Sequence, residues 1–270
     1  MEAAASVTIS AADNEPRQGA AMDMSAIMFV SYRWHRISNP YSLDQLERTL
    51  AFTDLAPGDA AADLGCGNGY ASAWMAERHG LDLIAVEHAP AVADLARQAA
   101  AQPRSQGRVE VVTGSAHDYL AGAGRHRLLS LLGPSDIFPG LERPADVMAA
   151  LLPSIEPGGW LLWGDLFWKA PPGPQVTAVY SAERYASLTG WVAAGEAAGL
   201  TPRYVAVSAD ADWEEFVWRM NASLEDGAAS APAAEAPVLR QRAAAVRRLY
   251  LEVGREGVGF GLYLFQRPLG

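Results

Sequence analysis

At 270 residues, half of them hydrophobic, the chain is long enough for one large α/β domain with a cap or for two small domains. A net charge of −10 argues against nucleic acid as a substrate, because phosphate binding wants a basic surface. The single cysteine, Cys66, excludes an intramolecular disulfide and fits a reducing cytoplasm, and neither a membrane-length apolar run nor a signal peptide is present.

In chain order, residues 1–24 are rich in Ala, Ser, Asp and Gly with little periodicity, and read as a disordered tail. From residue 25 large side chains crowd together (Ile27, Met28, Phe29, Tyr32, Trp34, His35, Ile37), and residues 25–56 read as an N-terminal helical cap. Ser42 is the expected N-cap of a helix over 43–52, with Gln45 at the capping-box position. Strands are expected at 60–64, 82–87, 109–114, 128–133, 160–165, 202–207 and 259–265. Helices are expected between them at 70–79, 90–101, 145–154 and 183–198. The run 128–133 is almost wholly apolar, as a central parallel strand should be. This alternation predicts a doubly wound, mostly parallel α/β sheet over 57–209 and 259–270. Residues 210–258 form an insertion with helices at 212–224 and 238–253, joined by a low-complexity linker at 227–234. Together with residues 25–52 it reads as a helical lid, the alternative being an interface insertion.

The first strand runs into Asp63-Leu64-Gly65-Cys66-Gly67-Asn68-Gly69-Tyr70, three alternating glycines between a strand and a helix. Such a turn lets a ligand approach the backbone closely, and the next helix aims free N–H groups over it. Glu87 closes the second strand 22 residues after Gly65, the spacing at which an acid meets ribose hydroxyls. A dinucleotide site needs G-x-G-x-x-G for its pyrophosphate, whereas here the third glycine comes one residue early and Asp63 precedes the loop. An acid there repels pyrophosphate and suits an ammonium or sulfonium, which favours S-adenosylmethionine over NAD.

With these residues the sequence resembles the class I S-adenosylmethionine-dependent methyltransferases, over about residues 35–268. The resemblance implies a seven-stranded Rossmann-like sheet with an antiparallel last strand. It further implies cofactor contacts from Asp63, Gly65, Cys66, Gly67, Gly69, Glu87, His88, Ser115, Ala116 and Leu131. Ser115 stands where many relatives carry an acid that meets the adenine amino group. Pro157-Gly158-Gly159 matches a structural turn of the family. More narrowly, His35, the run from Asn39 to Ser42, Gly164 to Trp168 and Asp212-Trp213 resemble a subset of bacterial small-molecule methyltransferases.

No metal-ligand cluster is visible, since the five histidines are scattered. The candidate catalytic groups are His35, whose ordinary pKa suits proton transfer near neutral pH, and Asp165 at the tip of the fifth strand. Trp34, Tyr41, Trp163, Phe167 and Trp168 are candidates for an aromatic acceptor pocket. The expectation is a cytoplasmic enzyme, monomer or homodimer, that methylates an O or N nucleophile of a small molecule without nucleic acid, membrane or metal. The alternatives are a non-catalytic S-adenosylmethionine-binding regulatory module and an NAD-dependent oxidoreductase.

Overall fold

A computed structural model describes residues 22, 24–133, 138, 140–177 and 184–269. The expected tail at 1–24 therefore lies almost wholly outside the described residues. The first two helices are α1 (Met24–Tyr32) and α2 (Leu43–Leu50). The capping box at α2 forms as expected: the Gln45 N–H donates to Ser42 Oγ (3.2 Å) and the Ser42 N–H donates to Gln45 Oε1 (2.9 Å).

The alternating core then runs β1 (Ala60–Leu64), α3 (Tyr70–His79), β2 (Asp82–Glu87), α4 (Pro90–Ala100), β3 (Arg108–Thr113), α5 (Ala116–Gly122), β4 (His126–Leu132), α6 (Pro144–Leu151) and β5 (Ile155–Trp168). After α7 (Pro174–Thr177) come β6 (Ala186–Ser187), α8 (Leu188–Ala197), β7 (Thr201–Val207), α9 (Asp210–Ser230), α10 (Ala236–Leu249) and β8 (Val258–Gln266). The strand order is β3-β2-β1-β4-β5-β8-β7, and the two-residue β6 is an eighth strand beside the end of β5. β1 to β5 pair in parallel, and β8 inserts antiparallel between β5 and β7. The expected sheet with its reversed last strand is thus observed. β1 lies between β2 and β4, so the chain reverses its winding direction there and leaves a crevice at the carboxyl ends.

Several elements depart from the sequence reading: β5 is longer than expected, and α7 and β6 were not expected. The helix expected from residue 183 begins at Leu188, because Ser187 caps it by accepting the Gly190 N–H (3.0 Å) while residues 186–187 pair with β5. The linker expected at 227–234 is helical to Ser230. Gly227 and Ala228 are buried there against Val30 of α1 and Leu239 of α10, and alanine is the best helix former. A further helix, α5, occupies residues 116–122.

Each face of the sheet carries its own apolar layer. Leu46, Leu50, Met75, Leu128, Leu162, Phe260 and Leu262 pack on one side, and Leu64, Leu129, Leu131, Leu151, Trp191 and Phe265 on the other. A third cluster joins α9 and α10 through Met220, Leu224, Leu239 and Ala243, with Val30 of α1 against it. No helix among the described residues is long and apolar enough to cross a membrane.

The α8 seam gives a test of packing against propensity. Alanine at Gly195 gains about 1 kcal/mol of helix propensity, yet its Cβ would land inside the Phe265 ring. Overpacking of that kind costs about 1–3 kcal/mol, so Gly195→Ala is expected to lower the urea midpoint, and adding Phe265→Leu is expected to restore much of it.

Candidate cofactor and acceptor site

β1 ends at the crevice and delivers Asp63 to its floor. The side chain is 2 % exposed, and Ser72 Oγ of α3 donates to its Oδ2 at 2.5 Å. Oδ1 is buried with no partner. Burial pushes the carboxyl up to about 6; the Ser72 and Ser130 hydroxyls oppose the rise and Glu87's charge adds to it. An unpaired buried carboxylate oxygen is a costly arrangement that a cation would relieve.

The turn above it is tight. The Gly65 and Cys66 N–H groups donate to Val86 O (2.9 and 3.0 Å), which ties the loop to β2. At Gly69, φ is +72° and a Cβ would stand 2.8 Å from the Ala96 Cα, so only glycine lets α3 begin against α4. Cys66 is buried and its thiol is pushed far up by burial, which leaves it a small apolar filler of the turn. Glu87 is buried at the tip of β2: its Oε2 accepts the Gly67 N–H (3.1 Å) and its Oε1 the Ala89 N–H (2.9 Å). These bonds fix the carboxylate against the loop and leave each oxygen a further lone pair. His88 is exposed beside it, 3.1 Å from Oε1.

Ser115 serves as the N-cap of α5, accepting the Asp118 N–H at 3.0 Å, so its hydroxyl already has one structural task. Ala116 begins α5 and packs on the sheet layer of Leu131. Leu131 is fully buried in β4 opposite Trp163.

A strap formed by residues 35–41 lies over the loop. Asn68 Nδ2 donates to the carbonyls of His35 (3.0 Å) and Arg36 (3.1 Å), while its Oδ1 accepts the Tyr70 N–H (3.1 Å). At the other end Asn39 Nδ2 donates to Leu132 O at the tip of β4 (2.9 Å). A Cβ on Gly133 would meet the Asn39 amide at 2.5 Å, so glycine at that tip makes room for the strap. Between strap and loop is a small, partly open cleft lined by Arg36, Asn39, Tyr41, Asp63, Asn68 and Leu132 among others. Asn68 stands in the glycine run and Asn39 in the run that resembles bacterial small-molecule methyltransferases, but the sequence gives neither of them this role.

The catalytic and aromatic candidates do not all converge. His35 is buried, with its ring against Tyr32 and Phe216 and its Nε2 2.8 Å from Phe216 O, so that nitrogen carries the proton and donates. The ring faces α9 rather than the cleft, and burial holds its pKa below the ordinary histidine value. Tyr41 does line the cleft, stacked on Phe260 at 5.8 Å. Trp163 and Phe167 lie on one sheet face and Trp168 on the other, because side chains alternate along β5. Trp34 is 43 % exposed beneath the Arg33 guanidinium. Asp165 stands one residue beyond the pairing of Leu132 with Gly164, buried, with its Oδ1 accepting the Leu166 N–H at 2.8 Å. Burial pushes its carboxyl up to about 7. Among the described residues no three His, Cys, Asp or Glu side chains are grouped to hold a metal.

Residues 61–159, from β1 to the start of β5, match a family model described as a methyltransferase domain. The Escherichia coli (strain K12) uncharacterized protein YjhP is 23% identical over 255 residues, which cover 90% of this chain and 98% of that protein. Crystal structures of S-adenosylmethionine-dependent methyltransferases from Thiobacillus denitrificans and Geobacter sulfurreducens, each in complex with S-adenosyl-L-homocysteine, share the fold. Their TM-scores are 0.78 and 0.79 at 23% and 22% identity, and the matches cover 90% and 88% of this chain and 99% and 96% of theirs. The fold is that of the class I methyltransferases. The matched segment contains Asp63, the glycine loop, Glu87, Ser115 and the β4 tip, whereas the strap and α9 lie outside it.

The raised carboxyl of Asp63 makes stability depend on pH. Below about pH 4 the acid is protonated in folded and unfolded chains alike. Between about 4 and 6 the unfolded chain ionises first, so the folded state loses stability as pH rises, by about 3 kcal/mol when complete. Asp63→Asn stays neutral throughout. By calorimetry the ligand-free variant is expected to melt above the parent protein at pH 8 and close to it at pH 4.

Proposed function

We propose that the protein is an S-adenosylmethionine-dependent methyltransferase acting on a small-molecule acceptor through an O or N nucleophile. The observation that carries this reading is the unpaired, fully buried Asp63 Oδ1 under a glycine turn whose other wall is Glu87. A nucleoside bearing a cation satisfies both acids at once, the ammonium at Asp63 and the ribose hydroxyls at Glu87. When bound, the cofactor supplies an electrophilic methyl group on a sulfonium. The backbone of Gly65, Cys66, Gly67 and Gly69 would cradle it, and Leu131 would hold the β4 tip in place. His88, Ser115 and Ala116 would flank the adenine end.

The protein's own task is then mainly positioning, which supplies much of the rate of an in-line displacement. Tyr41 lines the cleft and would orient the acceptor. Asp165, with a carboxyl at about 7, is ionised in part at neutral pH and suits proton removal from an acceptor that arrives protonated. His35, bonded to α9, would position the strap that keeps water out. The net charge of −10 and the narrow cleft favour a small acceptor over nucleic acid.

The experiment is a thermal-shift series with S-adenosylmethionine, S-adenosylhomocysteine and NADH at matched concentrations, since a ligand of the native state raises the melting temperature. A rise with both sulfur nucleosides and none with NADH is expected; the reverse pattern would replace this reading with a nicotinamide enzyme. Glu87→Ala is expected to weaken S-adenosylhomocysteine about ten- to a hundredfold in a calorimetric titration, the loss of charge-assisted hydrogen bonds to the ribose.

A further inference from the structure

The inserted helices rest on one ammonium group. Lys169, the only lysine in the chain, directly follows β5, whose last residue Trp168 pairs with Val258 at the start of β8. Between α10 and β8 the helical run changes its winding. Tyr250–Gly254 form a π-turn, in which the Arg255 N–H donates to the Tyr250 carbonyl five residues back, and Arg255–Gly257 add one last helical turn. A helix leaves its final four carbonyls without intrahelical partners. Lys169 takes two of them: its Nζ donates to Arg255 O (2.6 Å) and its backbone N–H to Gly257 O (3.0 Å). An ammonium there also complements the negative end of the helix dipole.

The same ammonium reaches the other end of the insertion. Its Nζ lies 3.6 Å from Oδ1 of Asp210, the first residue of α9. Two further contacts join these ends: Arg255 pairs with Glu214 (3.1 Å), and the Trp213 ring stacks on the Tyr250 ring with centroids 6.3 Å apart. Every one of them ties residues 210–214 to residues 250–257. Further out, α9 and α10 hold each other through Leu224, Leu239 and Ala243, and Arg247 bonds Glu225 (2.9 Å). The two helices are therefore one body standing on one foot.

We infer that residues 250–257 are the hinge on which α9 and α10 swing relative to the sheet, and that Lys169 is the latch that holds this hinge closed. Helices kink at π-turns, which recur at functional sites, so the bend has a place to occur without a new break in the chain. The ammonium suits the latch because it is a compact point charge with three donors, which meets a carbonyl and a carboxylate from different directions. A guanidinium would have to meet both in its own plane. Releasing Lys169 loosens both ends of the insertion at once. The latch governs how the cover opens and does not depend on which cofactor the cleft holds.

The test is hydrogen–deuterium exchange, read by mass spectrometry, on the ligand-free full-length chain and its Lys169→Gln variant. The variant is expected to exchange about tenfold faster in peptides covering 210–220 and 250–257, the loss of one charge-assisted hydrogen bond. β1 and β4 are expected to keep their wild-type rates, which shows that the sheet is folded. Unchanged rates in the two hinge segments overturn the latch. A rise spread equally over sheet and insertion overturns it too, since Lys169 would then support the whole fold. A second measurement needs no variant. Lys169 offers the only side-chain amine, so its acylation by an N-hydroxysuccinimide ester is read from one peptide. A closed latch is expected to slow that reaction about tenfold relative to the chain unfolded in guanidinium, and equal rates overturn the inference.

Discussion

The site depends on one carboxylate kept out of water. Asp63 stands one residue before the end of β1 with nearly all its surface covered, and the hydroxyls of Ser72 and Ser130 are the polar groups beside its carboxyl. A chain that needed only a folded sheet would place an apolar residue there, because an acid in such surroundings is held partly protonated at a cost to stability. The other features arrange themselves about it: the glycine turn that brings backbone close, the second acid at the tip of β2, and the strap that closes the space above. A positive charge beside this carboxyl would offset that cost.

The strap is built from a different kind of interaction. Residues 35–41 form neither helix nor strand, so their backbone carbonyls need partners from elsewhere. Asn68 supplies two of those bonds from within the glycine loop, and Asn39 returns one to the β4 tip. The same segment is tied to the inserted helices: His35 bonds the Phe216 carbonyl of α9, and Ser223 bonds the Val30 carbonyl of α1. Cofactor cradle, strap and insertion are thereby mechanically linked, which makes the cover over the cleft sensitive to what lies beneath it.

The aromatic residues show how far local reasoning reaches. Trp163, Phe167 and Trp168 are close in sequence and rich in surface, yet the pleat of β5 sends the first two to one face and the third to the other. Trp163 packs on Trp191 and Trp191 on Tyr263, an aromatic layer beneath Asp165's end of the strand. Tyr41, from a segment more than a hundred residues away, reaches the cleft because α2 docks on β7 and β8. The period of two was available from the sequence; which helices cover each face was not.

The glycine spacing, Asp63 before it and Glu87 after it were legible in the sequence, as were the sheet and its reversed last strand. Each follows from short-range rules: strand periodicity, turn stereochemistry, and a spacing set by one strand-helix-strand unit. Ser187 as a cap and the helical continuation through Ser230 were also local, but burial against α1 and α10 decided them over composition. The lodging of His35 against α9 and the grip of the two asparagines belonged to the tertiary structure alone. These hydrogen bonds join residues separated by 32 to 181 positions, and no local rule carries the register of one surface on another across such distances.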